Sequence, residues 1–151
     1  MGRLGRIVGI DPGEARIGIA VSDEDGSIAF PRATVTARGG HEEAARRVRE
    51  ALAGEEIAIV VVGLPLRLDG TEGEAARRAR VFGATLGKTL GVEVVYWDER
   101  LTTAAAERSL REMGRRGRKQ REVVDQSAAA LLLQGYLEAK SGEKWKDPVN
   151  G

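Results

Sequence analysis

Cysteine is absent from the 151-residue chain. Disulfides, thiolate nucleophiles and zinc–sulfur sites are therefore excluded together, and the absence fits a reducing compartment. Aromatic residues are scarce: two Trp, two Tyr and two Phe, too few for a platform on which single-stranded bases stack in succession. The one histidine, His41, stands at a helix start beside Glu42 and Glu43 and reads as a surface residue with no catalytic role. No apolar run approaches the ~20 residues needed to span a bilayer. Met1 to Arg6 lead straight into a strand-like run, so no signal peptide is expected and the protein reads as cytoplasmic. A strong net charge is missing too. The 24 basic residues are nearly balanced by 23 acidic ones, a formal +1, which by itself argues against a large nucleic-acid footprint.

The positive charge that is present is local. Between Arg108 and Glu122 seven basic residues stand against two acids, a local +5 that leaves −4 for the rest of the chain. Arg115, Arg116, Arg118, Lys119 and Arg121 form its dense part, as a phosphate-binding arm would require. The plainer reading is a solvated loop, and Gly114 and Gly117 argue for mobility rather than a rigid groove.

At this length one domain is expected, large enough to bury a core without a disulfide or a structural metal. Residues 6–11 read as a buried strand ending at Asp11, Pro12-Gly13-Glu14 as a turn, 16–22 as a second strand, and 27–36 as a third after the Asp25-Gly26 hairpin. Asp23, Glu24 and Asp25 read as hairpin-tip acids. The period then changes. Residues 41–53 place Ala44, Ala45, Val48, Ala51 and Leu52 on one helical face. Ile57 to Val62 is a continuous apolar run that suits a parallel strand covered on both faces. A helix over 72–90, a strand over 92–97, a helix over 102–113, the Gly/Arg/Lys-rich break and a last helix over about 122–139 complete the chain. The domain is expected to span 1–140, with 141–151 as a polar tail. Three antiparallel strands followed by two βα units predict an α/β fold: a mixed five-stranded sheet in the order 3-2-1-4-5 with helices on both faces. That is the ribonuclease H-like arrangement.

In open α/β sheets ligands sit beyond the carboxyl ends of the parallel strands. Here those ends are Asp11, the Gly63-Leu64-Pro65 turn, and Asp98-Glu99. Strands one and five, with four between them, lie ~10 Å apart at the backbone, a gap that two inward-leaning carboxylates can close around a metal pair. Glu99 reaches further than Asp98 and is preferred. Asp125, in the first turn of the last helix, is the third candidate. Three carboxylates without cysteine make an all-oxygen site suited to Mg²⁺ or Mn²⁺. Each acid also has a simpler reading. Asp11 could form the turn, Asp98 and Glu99 could end a strand or pair with Arg100, and Asp125 could cap a helix. Gly9-Ile10-Asp11-Pro12-Gly13 matches neither dinucleotide nor Walker patterns.

Four blocks of the chain resemble a known family. They are Gly9-Ile10-Asp11-Pro12-Gly13 with Arg16 to Asp23; Val62-Gly63-Leu64-Pro65 with Asp69-Gly70-Thr71-Glu72-Gly73; Asp98-Glu99-Arg100-Leu101-Thr102-Thr103-Ala104; and Asp125-Gln126-Ser127-Ala128-Ala129 with Leu133 to Leu137. Together they resemble the YqgF family, also called RuvX-type Holliday junction resolvase-like proteins, nearly end to end. The resemblance implies a ribonuclease H-like, metal-dependent nuclease related to junction resolvases and associated with processing the 5′ end of pre-16S ribosomal RNA. It carries the acidic site onto Asp11, Glu99 and Asp125, and it implies that the Gly63-Leu64-Pro65 turn and Asp69-Gly70 shape the site or contact substrate.

The expected chemistry is phosphodiester hydrolysis, with Asp11 bridging two ions and Glu99 and Asp125 each holding one. Arg115, Arg116, Arg118, Lys119 and Arg121 would clamp phosphates without reading sequence. The partners expected are structured RNA or branched DNA, ribosomal assembly intermediates among them, engaged by a monomer or a homodimer. Two rivals are a catalytically silent nucleic-acid-binding scaffold of the same fold and an actin-like nucleotide phosphohydrolase. The latter usually needs two such domains.

Overall fold

Alternation along the first strands, and a turn residue wherever it breaks, produce the meander that the pattern predicts. In a computed structural model, which describes residues 5–101 and 127–142, β1 (Arg6–Pro12), β2 (Arg16–Ser22) and β3 (Ala29–Thr36) are followed by α1 (His41–Ala51), β4 (Ile57–Leu64), α2 (Glu74–Leu90), β5 (Glu93–Asp98), a 3₁₀ turn (Glu99–Leu101) and α3 (Ala128–Gly142). The five strands form one sheet in the order β3-β2-β1-β4-β5. β1 runs antiparallel to β2 and parallel to β4, and β4 runs parallel to β5. This is the predicted mixed sheet. The helix expected over 102–113 and the basic break lie outside the described residues.

Side chains alternate between two cores. Val8, Ile10, Ile17, Ile19, Val60 and Val62 point to the face covered by Val48 of α1 and by Phe82 and Leu86 of α2. Ala20, Ala29 and Val61 point to the other face, against Ala129, Ala130, Leu133 and Tyr136 of α3. Strand β4 is covered on both sides, which is why its sequence is a continuous apolar run rather than an alternating one.

Small residues let α3 lie close to the sheet. A Cβ at Gly9 would stand 2.7 Å from Leu133 Cβ, and one at Gly18 would stand 3.3 Å from Ala129 Cβ. Gln134 pins the helix in register. Its buried amide accepts from Ala29 N at 2.8 Å and donates to Ser27 O at 3.0 Å, satisfying polar groups that would be costly to leave unpaired.

Element boundaries differ from the sequence reading where side chains intervene. β3 begins at Ala29 because Asp23 Oδ1 takes the backbone N–H groups of Ser27 and Ile28. α2 begins at Glu74, after a buried Gly73 against which Arg67 packs. α3 begins at Ala128, not near 122, because Ser127 Oγ accepts from Ala130 N at 3.0 Å and caps the helix. Asp125, expected in the first turn of the last helix, lies outside the described residues. At the other end α3 continues past Lys140 to Gly142. No described helix is long and apolar enough to cross a membrane.

Candidate active site

Asp11 stands one residue before the end of β1, opposite Gly18 of β2 in register, on the face that α3 covers. Glu99 follows the last residue of β5 and opens the 3₁₀ turn. Their carboxyl groups are brought close enough to hydrogen-bond when one of them carries a proton. Between them runs β4, where the Gly63-Leu64 pair is still strand, paired with Trp97 and Asp98, rather than the turn expected from sequence.

The gap between strands one and five is closed over Gly63. A Cβ at that position would stand 2.8 Å from Glu99 Oε2, 3.1 Å from Glu99 Cγ and 3.2 Å from Leu132 Cδ2. Gly63 is not among the glycines with positive φ, so its backbone would accept any residue. Glycine is required there by space alone. The bare Cα forms a floor across which the Glu99 side chain lies to reach Asp11.

Bringing two carboxylates together out of water perturbs both. Burial raises Asp11, against a smaller lowering by its hydrogen bond with Glu99. Glu99 is pushed up to about 7 by burial first, then by the Asp11 charge and hydrogen bond, and least by the Asp98 charge. Such a pair holds one proton between two oxygens, with Glu99 the donor and Asp11 the acceptor, unless a cation takes the proton's place.

Asp98 is otherwise engaged. Its carboxylate receives Arg100 N at 2.9 Å, Arg100 Nε at 3.0 Å and Arg100 Nη2 at 2.7 Å, and these bonds lower its pKa. Arg100 Nη1 also reaches back to Leu68 O at 3.2 Å, tying the loop after β4 to the end of β5. Within that loop Asp69 Oδ1 accepts from Thr71 N at 3.0 Å and from Thr71 Oγ1 at 2.7 Å, and Gly70 supplies the positive φ of the turn. Asp69 thus shapes the loop, and it is not among the residues lining the two depressions that meet at Asp11.

Two depressions meet at Asp11. One of about 730 Å³ also takes in Glu99 and runs between α1 and α2 over Ile17, Ala44, Ala79 and Phe82. His41 lines it, half-buried, with its ring 6.0 Å from that of Phe82. It is therefore less of a surface residue than the sequence suggests. The other, of about 500 Å³, lies over β2 and β3 beside the start of α3. Among the described residues no group of three His, Cys, Asp or Glu side chains is placed to hold a metal ion. Asp125, Arg115, Arg116, Arg118, Lys119 and Arg121 lie outside those residues. The resemblance implies a site-shaping role for the Gly63-Leu64-Pro65 turn, and the structure gives Gly63 a specific form of it, a strand position over which Glu99 lies.

A sequence model of the RuvX family, described as a Holliday junction resolvase, matches residues 5–139. The chain belongs to this family. Relatives of this RuvX-family chain include a protein of Acetivibrio thermocellus, 43% identical over 136 residues that cover 89% of this chain and 96% of the relative. Another, from a Nocardioides strain, is 47% identical over 144 residues that cover 91% and 90%. Both carry the name "Putative pre-16S rRNA nuclease". Among solved structures, RuvC of T. thermophilus in complex with a Holliday junction substrate aligns with a TM-score of 0.54 at 19% identity, over 91% of this chain and 96% of that one. At that identity the likeness bears on the fold, which is the ribonuclease H-like fold expected from the element order.

Proposed function

We propose that this RuvX-family chain is a divalent-metal-dependent endonuclease that hydrolyses phosphodiesters of structured nucleic acid, with the 5′ end of pre-16S rRNA as its first candidate substrate and a four-way DNA junction as its second. One observation carries the reading: Asp11 and Glu99, far apart in the chain, meet at the carboxyl edge of the parallel strands with both pKa values raised. Two hydrogen-bonded carboxylates are a poor arrangement for stability alone, and such perturbed pairs cluster at reactive sites. The names of the relatives supply the substrate class.

The site fits Mg²⁺ or Mn²⁺. Its donors are all oxygen, and its like-charge conflict is relieved by a cation. Asp11 and Glu99 would hold the metal, with Asp125 as the third ligand. When bound, the metal would make a water nucleophilic near neutral pH and stabilise charge on the leaving oxygen. The chain's own groups do the rest. Asp11, fixed in the sheet, sets the position of the acid pair. Glu99 gives up its proton as the pair becomes doubly anionic above about pH 7. Arg100 binds Asp98, which the alternation of β5 places on the side of Leu64 and away from Asp11. Arg115, Arg116, Arg118, Lys119 and Arg121 would hold phosphates through charge, without sequence readout.

The test is incubation of the purified protein with a 5′-extended 16S rRNA fragment and, separately, with a four-way DNA junction, each in Mg²⁺, Mn²⁺ or chelator. Metal-dependent cleavage of either substrate, with no products in chelator, is expected. Tight binding without cleavage under every metal condition would support the silent-scaffold reading instead.

A further inference from the structure

We propose that the depression over β2 and β3 beside Asp11 is a track for the sugar–phosphate backbone flanking the cleaved bond, with Arg16 as its phosphate contact; this rests on the nuclease reading above. Ile17 and Ile19 point into the core under α1, so Arg16 and Gly18 point to the opposite face. There α3 stops short. Ser127 caps it and Ala129 rests on Gly18, and among the described residues no helix covers the sheet beyond that glycine. Asp11, Gly18 and Thr34 lie side by side across three strands, and the depression of about 500 Å³ over them is lined by Arg16, Arg32, Thr34 and Ser127 as well.

Charge identifies the occupant. Arg32 is held by Glu55. Arg16 is exposed, and among the described residues its guanidinium has no acid partner. A cation without an acid partner among the described residues and an exposed hydroxyl therefore sit one strand and two strands from Asp11. An anion attracted here must also tolerate the acid pair at the inner end of the depression. A phosphodiester strand does so, because its cleaved phosphate is the group the acid pair is built to handle and its neighbouring phosphate falls on the Arg16 side. The larger depression offers no equivalent: its floor is apolar and Arg78 at its rim is paired with Glu14 at 2.9 Å. The flanking backbone thus leaves over β2 and β3.

The test measures binding of a labelled 5′-extended 16S rRNA fragment and a labelled four-way junction by anisotropy in chelator across a salt series, using the full chain. Arg16→Ala should raise Kd about three- to tenfold and lower the slope of log K against log salt by roughly one. Thr34→Glu, an exposed change, should weaken binding at least as much, and Arg16→Lys should restore most of the affinity. Unchanged melting temperatures confirm folding. Unaltered Kd and salt slope in both Arg16→Ala and Thr34→Glu overturn the track, even if the wild-type protein cleaves. Slower cleavage by Arg16→Ala at unchanged Kd also overturns it. Conversely, an Arg16-dependent salt slope in a wild-type protein that never cleaves either substrate sustains the track and removes the nuclease reading.

Discussion

The Glu99 side chain lies across the bare Cα of Gly63, where a single added methyl carbon would come within 2.8 Å of its Oε2. This relationship closes the gap between β1 and β5 and lets two acids distant in sequence touch. It also makes the site sensitive to the smallest possible side chain.

Replacing Gly63 with Ala should therefore displace Glu99 without unfolding the protein, because the obstructed atoms belong mostly to the end of one flexible side chain. Metal affinity should fall about 10–100-fold, the usual cost of disturbing the groups that orient a ligand. Isothermal titration with Mn²⁺, alongside a circular-dichroism melt, checks both halves of this expectation. Wild-type affinity in Gly63→Ala would show that the floor is not needed.

Protonation gives a second prediction. The folded state holds the Glu99 proton up to about pH 7, whereas an unfolded glutamate releases it near pH 4.3. A raised carboxyl pKa contributes stability at low pH and loses it as pH rises through that window. The metal-free protein should thus become less stable between about pH 4.5 and pH 7.5, on the order of 1–2 kcal/mol once solvent screening is allowed for. The raised Asp11 value acts in the same direction. Thermal melts in chelator across this range should show the decline, and Glu99→Gln should flatten it.

Asp98 and Glu99 are neighbours with different duties, which separates them experimentally. Asp98→Asn should leave metal-dependent cleavage near the wild-type rate while loosening the loop that Arg100 ties to β5. Glu99→Gln should lower the rate by orders of magnitude with little effect on that loop. Cleavage rates paired with limited proteolysis around residues 66–72 distinguish them; equal losses in both variants would contradict the assignment.

The close seating of α3 predicts a structural effect. Gly9→Ala places a carbon 2.7 Å from Leu133 Cβ, and the helix has to move. Overpacking of this kind costs about 1–3 kcal/mol, a drop in melting temperature of roughly 2–12 °C for a domain of this size. Differential scanning calorimetry provides the measurement.

Much of this architecture was legible in the sequence because its signals are local. Alternation in β1 to β3, the Asp25-Gly26 turn, the apolar run of β4 and the helical stripes of α1 and α2 each declare their own element, and the element order then dictates the sheet. The same logic placed Asp11 and Glu99 on one edge. What sequence could not give was contact across elements. Gly63 looked like a turn residue because nothing in its neighbourhood shows that Glu99 will lie on it. Alternation along β5 sends Asp98 to the α2 side with Leu64 and Tyr96, away from Asp11, and Arg100 binds it there. Arg16 sits in an ordinary alternating strand, and its exposure on the α3 side depends on where that helix starts. Ser127 fixes that start, several residues later than periodicity suggested.

We propose the Asp11–Glu99 pair as a metal-dependent site of phosphodiester cleavage. Its most direct test is single-turnover cleavage of a 5′-extended 16S rRNA fragment in Mg²⁺ by the wild-type protein and by Asp11→Asn, with substrate affinity measured in parallel. Loss of cleavage in Asp11→Asn at nearly unchanged affinity and fold is the predicted result. Cleavage by Asp11→Asn at the wild-type rate would contradict the account.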